Sequence, residues 1–219
     1  MKSKRIMTSA ATLGLAAVLV LTALSPATAA PAAPPPGTSQ ATAVAVTPAE
    51  AAAGAAAAAE IKKYESALTT VNGVVHFNAT AAIALGGSAT SVEQFAVGIA
   101  AGGGSVSGIS LPASQVAAAA VVAKTVSHCY GSTNLTHQWF GYQLKINSCI
   151  TAKILAAGLA VTTVAGILTA ALGVTVIGGI IALVVTGIVG LGSAALYYCS
   201  SDGDGAIIDF GPVPWCANQ

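Results

Sequence analysis

Charge is what this sequence has least of. Acidic and basic residues together make up 7% of its 219 positions, against about 25% in ordinary globular domains. Arg5 is the single arginine, and beyond residue 29 five lysines (62, 63, 124, 145 and 153) face seven carboxylates, a net charge of −2. A nucleic-acid partner requires a basic face and bidentate arginines, and the composition argues against one. Catalytic motifs are missing as well. There is no His-Glu-x-x-His, no Gly-x-Ser-x-Gly and no phosphate loop. Gly102-Gly103-Gly104 follows a predicted helix, whereas a dinucleotide fingerprint follows a strand. His76, His128 and His137 stand in unrelated contexts, and His128 and His137 flank a cysteine expected to be oxidised. Asp202-Gly203-Asp204-Gly205 lacks the further oxygen ligands and the glutamate of a calcium loop. The expectation is therefore no enzyme, no metal and no cofactor.

What the chain does have is apolar sequence, with a mean hydropathy of +0.79. Its beginning has the three parts of a secretory signal. Lys2, Lys4 and Arg5 form a positive segment, Ala10 to Leu24 an apolar one, and Ala27-Thr28-Ala29 a small-residue cleavage site. Cleavage after Ala29 is expected, because a cut after Ala30 would place Pro31 next to the scissile bond. An uncleaved anchor is the alternative, but the apolar stretch is shorter than the ~20 residues a membrane span needs. Residues 30–46, rich in Pro, Ala and Thr, read as a linker.

Residues 47–128 read as an alanine-rich helical domain. Thr47-Pro48-Ala49-Glu50 opens a helix expected to reach about Thr70, with Asn72-Gly73 stopping it. Val74 to Phe77 is a short strand candidate, and Asn78 can cap a brief helix through Leu85. Thr90-Ser91-Val92-Glu93 suggests a capping box for a helix to about Ala101, ended by the three glycines, and a further helix is expected from Ser114 to Val126.

Four cysteines in an exported chain imply disulfides. Local pairing, Cys129–Cys149 with Cys199–Cys216, is preferred because each pair closes a hairpin-like loop; a Cys149–Cys199 crosslink is the alternative. Loops of this size gain about 3 kcal/mol from closure. Within 129–149, Tyr142, Leu144 and Ile146 alternate with polar residues at a strand period. Residues 199–219 read as a second disulfide-closed β-tail, with Ala206-Ile207-Ile208 as its strand.

Between these loops, Ile154 to Tyr198 is a run of 45 residues without a formal charge. A break near Leu172-Gly173 divides it into two segments of about membrane-spanning length. Small residues recur every fourth position, including Gly158, Gly166, Gly178 and Gly190, as in helices that approach closely. A glycine-packed pair buried in a soluble core is the competing reading. Trp139, Tyr142, Tyr197, Tyr198 and Trp215 are the candidate membrane-interface aromatics.

The order of an alanine-rich region, Cys129-Tyr130-Gly131, Trp139-Phe140-Gly141, Cys149, a glycine-rich apolar block and Trp215-Cys216 resembles certain secreted actinobacterial proteins of unknown function. The block itself is similar in composition to glycine- and alanine-rich bacteriocins, although such peptides are smaller and cationic. The resemblance implies membrane activity. The expected fold is mainly α: an alanine-rich helical domain, a disulfide-closed β-loop, a long apolar helical hairpin over 150–198 and a disulfide-closed tail. The expected function is that of an exported, membrane-associating, bacteriocin-like or pore-forming protein whose partner is a lipid bilayer or another copy of itself. A cell-envelope structural or interaction protein without lytic activity is the alternative.

Overall fold

The alanine-rich run after Pro48 ends as a helix much sooner than propensity suggests. A computed structural model describes residues 48–117, 128–158, 160–174, 180–211 and 215–219; the signal segment, the linker, Gly178 and most of the helix expected over Ser114–Val126 lie outside them. Helix α1 spans Pro48–Lys63. A single 3-10 turn follows, and the chain then enters strand β1 (Leu68–Val71), paired antiparallel with β2 (Val74–Asn78). Asn72-Gly73, expected to stop a helix, is instead the turn of this hairpin: both residues have positive φ, 51° and 77°, the pairing that two-residue hairpin turns demand. Leu68-Thr69-Thr70-Val71, β-branched at three of four positions, had the strand signal.

Asn78 caps α2 (Ala79–Ala84) by accepting from the Ala81 amide at 3.0 Å, as its position predicted. Helix α3 (Ala89–Gly102) starts two residues earlier than the expected box at Thr90, with Ser88 as its cap. Glu60 on α1 completes that cap from outside the helix. Its carboxylate accepts from the Ser88 amide (2.8 Å), the Tyr64 hydroxyl (3.0 Å) and the Lys63 ammonium (2.6 Å). The Lys63 hydrogen bond, reinforced by the Ser88 amide, holds the Glu60 carboxyl below its ordinary value, while burial pushes the Tyr64 phenol up. Behind this network Tyr64, Phe77 and Phe95 form an aromatic cluster with ring centroids 5.0–5.9 Å apart. Gly103, left-handed at φ 102°, ends α3 and turns the chain into β3 (Ser105–Ser107), parallel to β2.

The rest of the chain corrects the expected mainly α fold. The two disulfide loops are not separate: β4 (Asn134–Gln138), β5 (Gly141–Ile146), β6 (Ala206–Phe210) and β7 (Trp215–Asn218) form one antiparallel sheet in that order. The join is β5 to β6, from Ile146↔Ala206 to Tyr142↔Phe210. Its physical reason is shared amphipathicity. Leu144 and Ile146 on β5, and Ala206, Ile208 and Phe210 on β6, give each hairpin one apolar face, and an isolated two-stranded hairpin cannot bury such a face. Side by side they cover one set of helices. With the three-stranded sheet, this makes the architecture mixed α/β.

Nor does the apolar block form a long helical hairpin. It is cut into α4 (Ser148–Ala156), α5 (Val161–Leu172) and α6 (Ile180–Tyr198), the last kinked at Gly192. Gly158 and Gly173, with φ of 65° and 86°, end the first two. The small-residue ridge on α5 faces α3. A methyl group on Gly98 would sit 2.9 Å from Gly166 Cα and overlap the Thr163 carbonyl; one on Gly166 would sit 2.8 Å from the Ile99 amide; one on Gly102 would press on Ala170. On α6, Thr186 takes the space left by Gly54 of α1, Gly187 takes the Phe210 ring, and Gly190 is buried. Among the described residues no helix is long and apolar enough to cross a membrane.

Both disulfides follow the local pairing, Cys129–Cys149 and Cys199–Cys216. The first ties the first turn of α4 to the segment that leads into β4, and the second ties the end of α6 to β7. The Gln219 side chain completes the join. Its Nε2 donates to the carbonyls of Ser132 (2.9 Å), Ile146 (2.9 Å) and Ala206 (3.4 Å), and its Oε1 accepts from the Ser132 amide at 2.8 Å.

Two outcomes follow from this packing. Gly98→Ala and Gly166→Ala should each destabilise the protein by about 1–3 kcal/mol in urea unfolding. Because they oppose one another across one contact, the double variant should cost less than the sum; full additivity would place the contact elsewhere. For Glu60, a carboxyl depressed in the folded state contributes stability that is present above its ordinary value of 4.5. That stability is lost as pH falls through the lower folded value. Unfolding between pH 5 and about 3 should therefore show a fall in wild-type stability that Glu60→Gln flattens, and identical pH profiles would remove Glu60 from the account.

Candidate functional site

Strand alternation gives the four-stranded sheet two unlike faces. The inner face carries Leu144, Ile146, Ile208, Phe210 and Cys216, all buried, with Tyr142 half-buried among them and edge-on to His137 at 5.0 Å. The outer face is polar. Register places Thr136, Gln143, Asp209 and Trp215 in one row across all four strands. Gln143 Nε2 donates to Asp209 Oδ1 at 3.0 Å, and Gln138 Nε2 donates to Thr136 Oγ1 at 3.2 Å. Asp209 has 0% exposure, and its Oδ2 is buried without a hydrogen-bond partner among the described residues. A carboxylate oxygen left so is costly.

One end of this sheet is aromatic. Trp139-Phe140 form the two-residue turn between β4 and β5, closed by the Gln138↔Gly141 pair. Trp139 is 93% exposed and edge-on to Phe140, with centroids 5.4 Å apart. Gly141 has a φ of 142°, and a side chain there would strike the Phe210 carbonyl, so the turn lies tight against the end of β6. Trp215, 37% exposed, starts β7 at the same end.

The aromatics singled out in the sequence are thus divided. Trp139, Tyr142 and Trp215 share the aromatic end, though Tyr142 points into the inner face. Tyr197 and Tyr198 end α6 beside Cys199, whose disulfide to Cys216 ties that helix end to β7 next to Trp215. Tyr197 is 69% exposed, and Tyr198 is half-buried. Of the candidate packing glycines, Gly166 makes a close contact, Gly190 is buried in α6, and Gly158 serves a turn where a side chain would meet open space.

Asp209 and Gln143 were not singled out from the sequence. The available signal was a carboxylate between Ile208 and Phe210 in an otherwise apolar strand. Its cross-strand partners depend on β5 pairing with β6. Elsewhere, Ser105 Oγ and His76 Nδ1 are hydrogen-bonded across the β2–β3 pair, where His76 and Ser105 stand opposite one another. Among the described residues no three His, Cys, Asp or Glu side chains converge as a metal site. No family model, curated protein or solved structure matches the chain.

Stability should separate the tip from the row behind it. Trp139→Ala should change unfolding free energy by less than about 0.5 kcal/mol, as for an exposed side chain. Gln143→Ala removes the donor to a buried carboxylate and should cost about 1–3 kcal/mol. Denaturant titration of both variants checks this; a large loss in Trp139→Ala would make the tip part of the scaffold.

Proposed function

We propose that this protein is exported and acts as a non-lytic interaction protein of the cell envelope, docking through the aromatic end of its four-stranded sheet. The observation that carries the reading is Trp139. In a chain with only two tryptophans, one stands almost wholly in solvent on a two-residue turn braced by β5 and β6. Exposing an indole gains nothing for folding, and rigid aromatic side chains are the usual anchors of recognition surfaces. The signal-like first 29 residues and two disulfides fit an oxidising compartment outside the cytoplasm.

The pore-forming reading expected first from the sequence has less support. It depended on a long apolar hairpin free to enter a bilayer, whereas Ile154, Val164, Ile167, Leu168, Val184 and Ile188 are buried in the protein's own core. Releasing them would expose that core to water.

Sedimentation with isolated cell envelopes tests the reading. The purified protein lacking residues 1–29 should pellet with them, and Trp139→Ala should lower the bound fraction several-fold without loss of fold. It should release no dye from phosphatidylcholine vesicles. Absence from the pellet would remove the docking function, and dye release would restore the lytic one.

A further inference from the structure

The row behind the aromatic tip has the chemistry of a ligand site. Asp209 is a fully buried carboxylate with one oxygen satisfied by Gln143 and the other by no group among the described residues. Folding alone gives no reason to place it there, since an isoleucine or an alanine at that position would serve the strand better. Next to it in register stands Trp215, a flat apolar surface one-third in solvent. On its other side Gln143, having given one N–H to Asp209, retains an acceptor oxygen and a second N–H; the Thr136 hydroxyl beyond it already donates to the Gln143 carbonyl and accepts from Gln138.

We infer that this outer face of the sheet binds a neutral saccharide, with Asp209 and Gln143 taking the hydroxyls of one sugar ring and Trp215 stacking on its apolar face. The inference rests on the envelope-docking reading and names the chemistry of what is docked. A sugar ring presents O–H groups on its rim and C–H groups on its faces, and the row offers acceptors, donors and an aromatic plane side by side. A hydroxyl donated to Oδ2 is a hydrogen bond to a charged acceptor, the stronger kind. An anionic ligand would meet the Asp209 charge directly. A quaternary ammonium calls for an aromatic cage, and among these strand residues Trp215 is the only aromatic on the outer face, Tyr142 and Phe210 facing inward. Oδ2 is enclosed in the free protein and Trp215 is its register neighbour, so a sugar that reaches it displaces surrounding side chains and alters the indole environment.

The test titrates the protein lacking residues 1–29 with cellohexaose, chitohexaose and maltohexaose, following tryptophan fluorescence and calorimetric heat. Tetramethylammonium chloride serves as the cationic alternative. At least one oligosaccharide should bind. Asp209→Asn should weaken it about tenfold or more, as expected for a hydrogen bond to a charged group. Trp215→Ala should do the same, while Trp215→Phe, which keeps an aromatic face, should retain most of the affinity and control for folding. Binding that survives both Asp209→Asn and Trp215→Ala overturns the site, and preference for tetramethylammonium overturns the ligand class. Protein that pellets with envelopes yet ignores all three sugars overturns the saccharide inference and leaves the docking reading standing. Protein that does neither removes both.

Discussion

The backbone-to-backbone contact between α3 and α5 is the joint on which the structure depends. Gly98 and Gly102 of α3 meet Gly166 and Ala170 of α5 so closely that a single methyl group has no room. Helix α3 belongs to the half built on β1, β2 and β3; α5 lies in the excursion between β5 and β6 of the other sheet. The crossing therefore joins the two sheets' supporting helices. Alanine, glycine and valine dominate this chain, and small side chains fill an interior to ordinary density only if the backbones come near one another. The glycines supply that approach, and the surrounding Phe95, Ile99, Ile167 and Leu168 close around it.

A second constraint works at the covalent level. The 59 residues between Ile146 and Ala206 leave the four-stranded sheet and return to it at neighbouring positions. The disulfides clamp both ends of that excursion, one at the start of α4 and one after α6. The Gln219 amide bridges the same corner, linking the loop at Ser132 to both central strands. The aromatic end carries Trp139 on its turn and Trp215 at the start of β7, the latter next to the half-cystine Cys216. Trp215 is thus anchored beside a disulfide, whereas Trp139 stands on a turn beyond both of them.

The same composition that suggests a membrane protein serves here to build a core from weakly apolar pieces. Hydropathy measures the transfer of side chains out of water and does not distinguish lipid from protein as the destination. With glycine and alanine so frequent, each helix buries little area per residue, and several short helices sharing one core replace a pair of long ones. Against this background polar side chains inside are informative. The partly exposed Glu60 is explained by its three donors; Asp209, with one oxygen unpartnered among the described residues, has no such account from the contacts of the fold, and the saccharide inference supplies one.

Local features were legible in the sequence because their causes are local. Both disulfide pairs close short loops, Asn78 caps the helix it precedes, and the alternation at Tyr142, Leu144 and Ile146 marks β5. Each depends on residues within one turn, strand or loop. What misled was the use of local signals where a distant partner decides. Asn72-Gly73 ends a helix or turns a hairpin according to whether β1 has β2 to pair with. The spacing of Gly166 and Ala170 promises a close helix contact but does not name the other helix, which proved to be α3, more than sixty residues earlier. The long apolar hairpin failed for the same reason: lack of charge says that residues leave water, and only the packed interior says where they go. The row Thr136, Gln143, Asp209 and Trp215 spans 80 residues of chain and exists only in the register of four strands. The sequence by itself determined which residues seek burial, where the chain turns and which cysteines join. Tertiary structure alone decided which surfaces meet, because pairing between distant segments depends on the shapes that the whole chain leaves available.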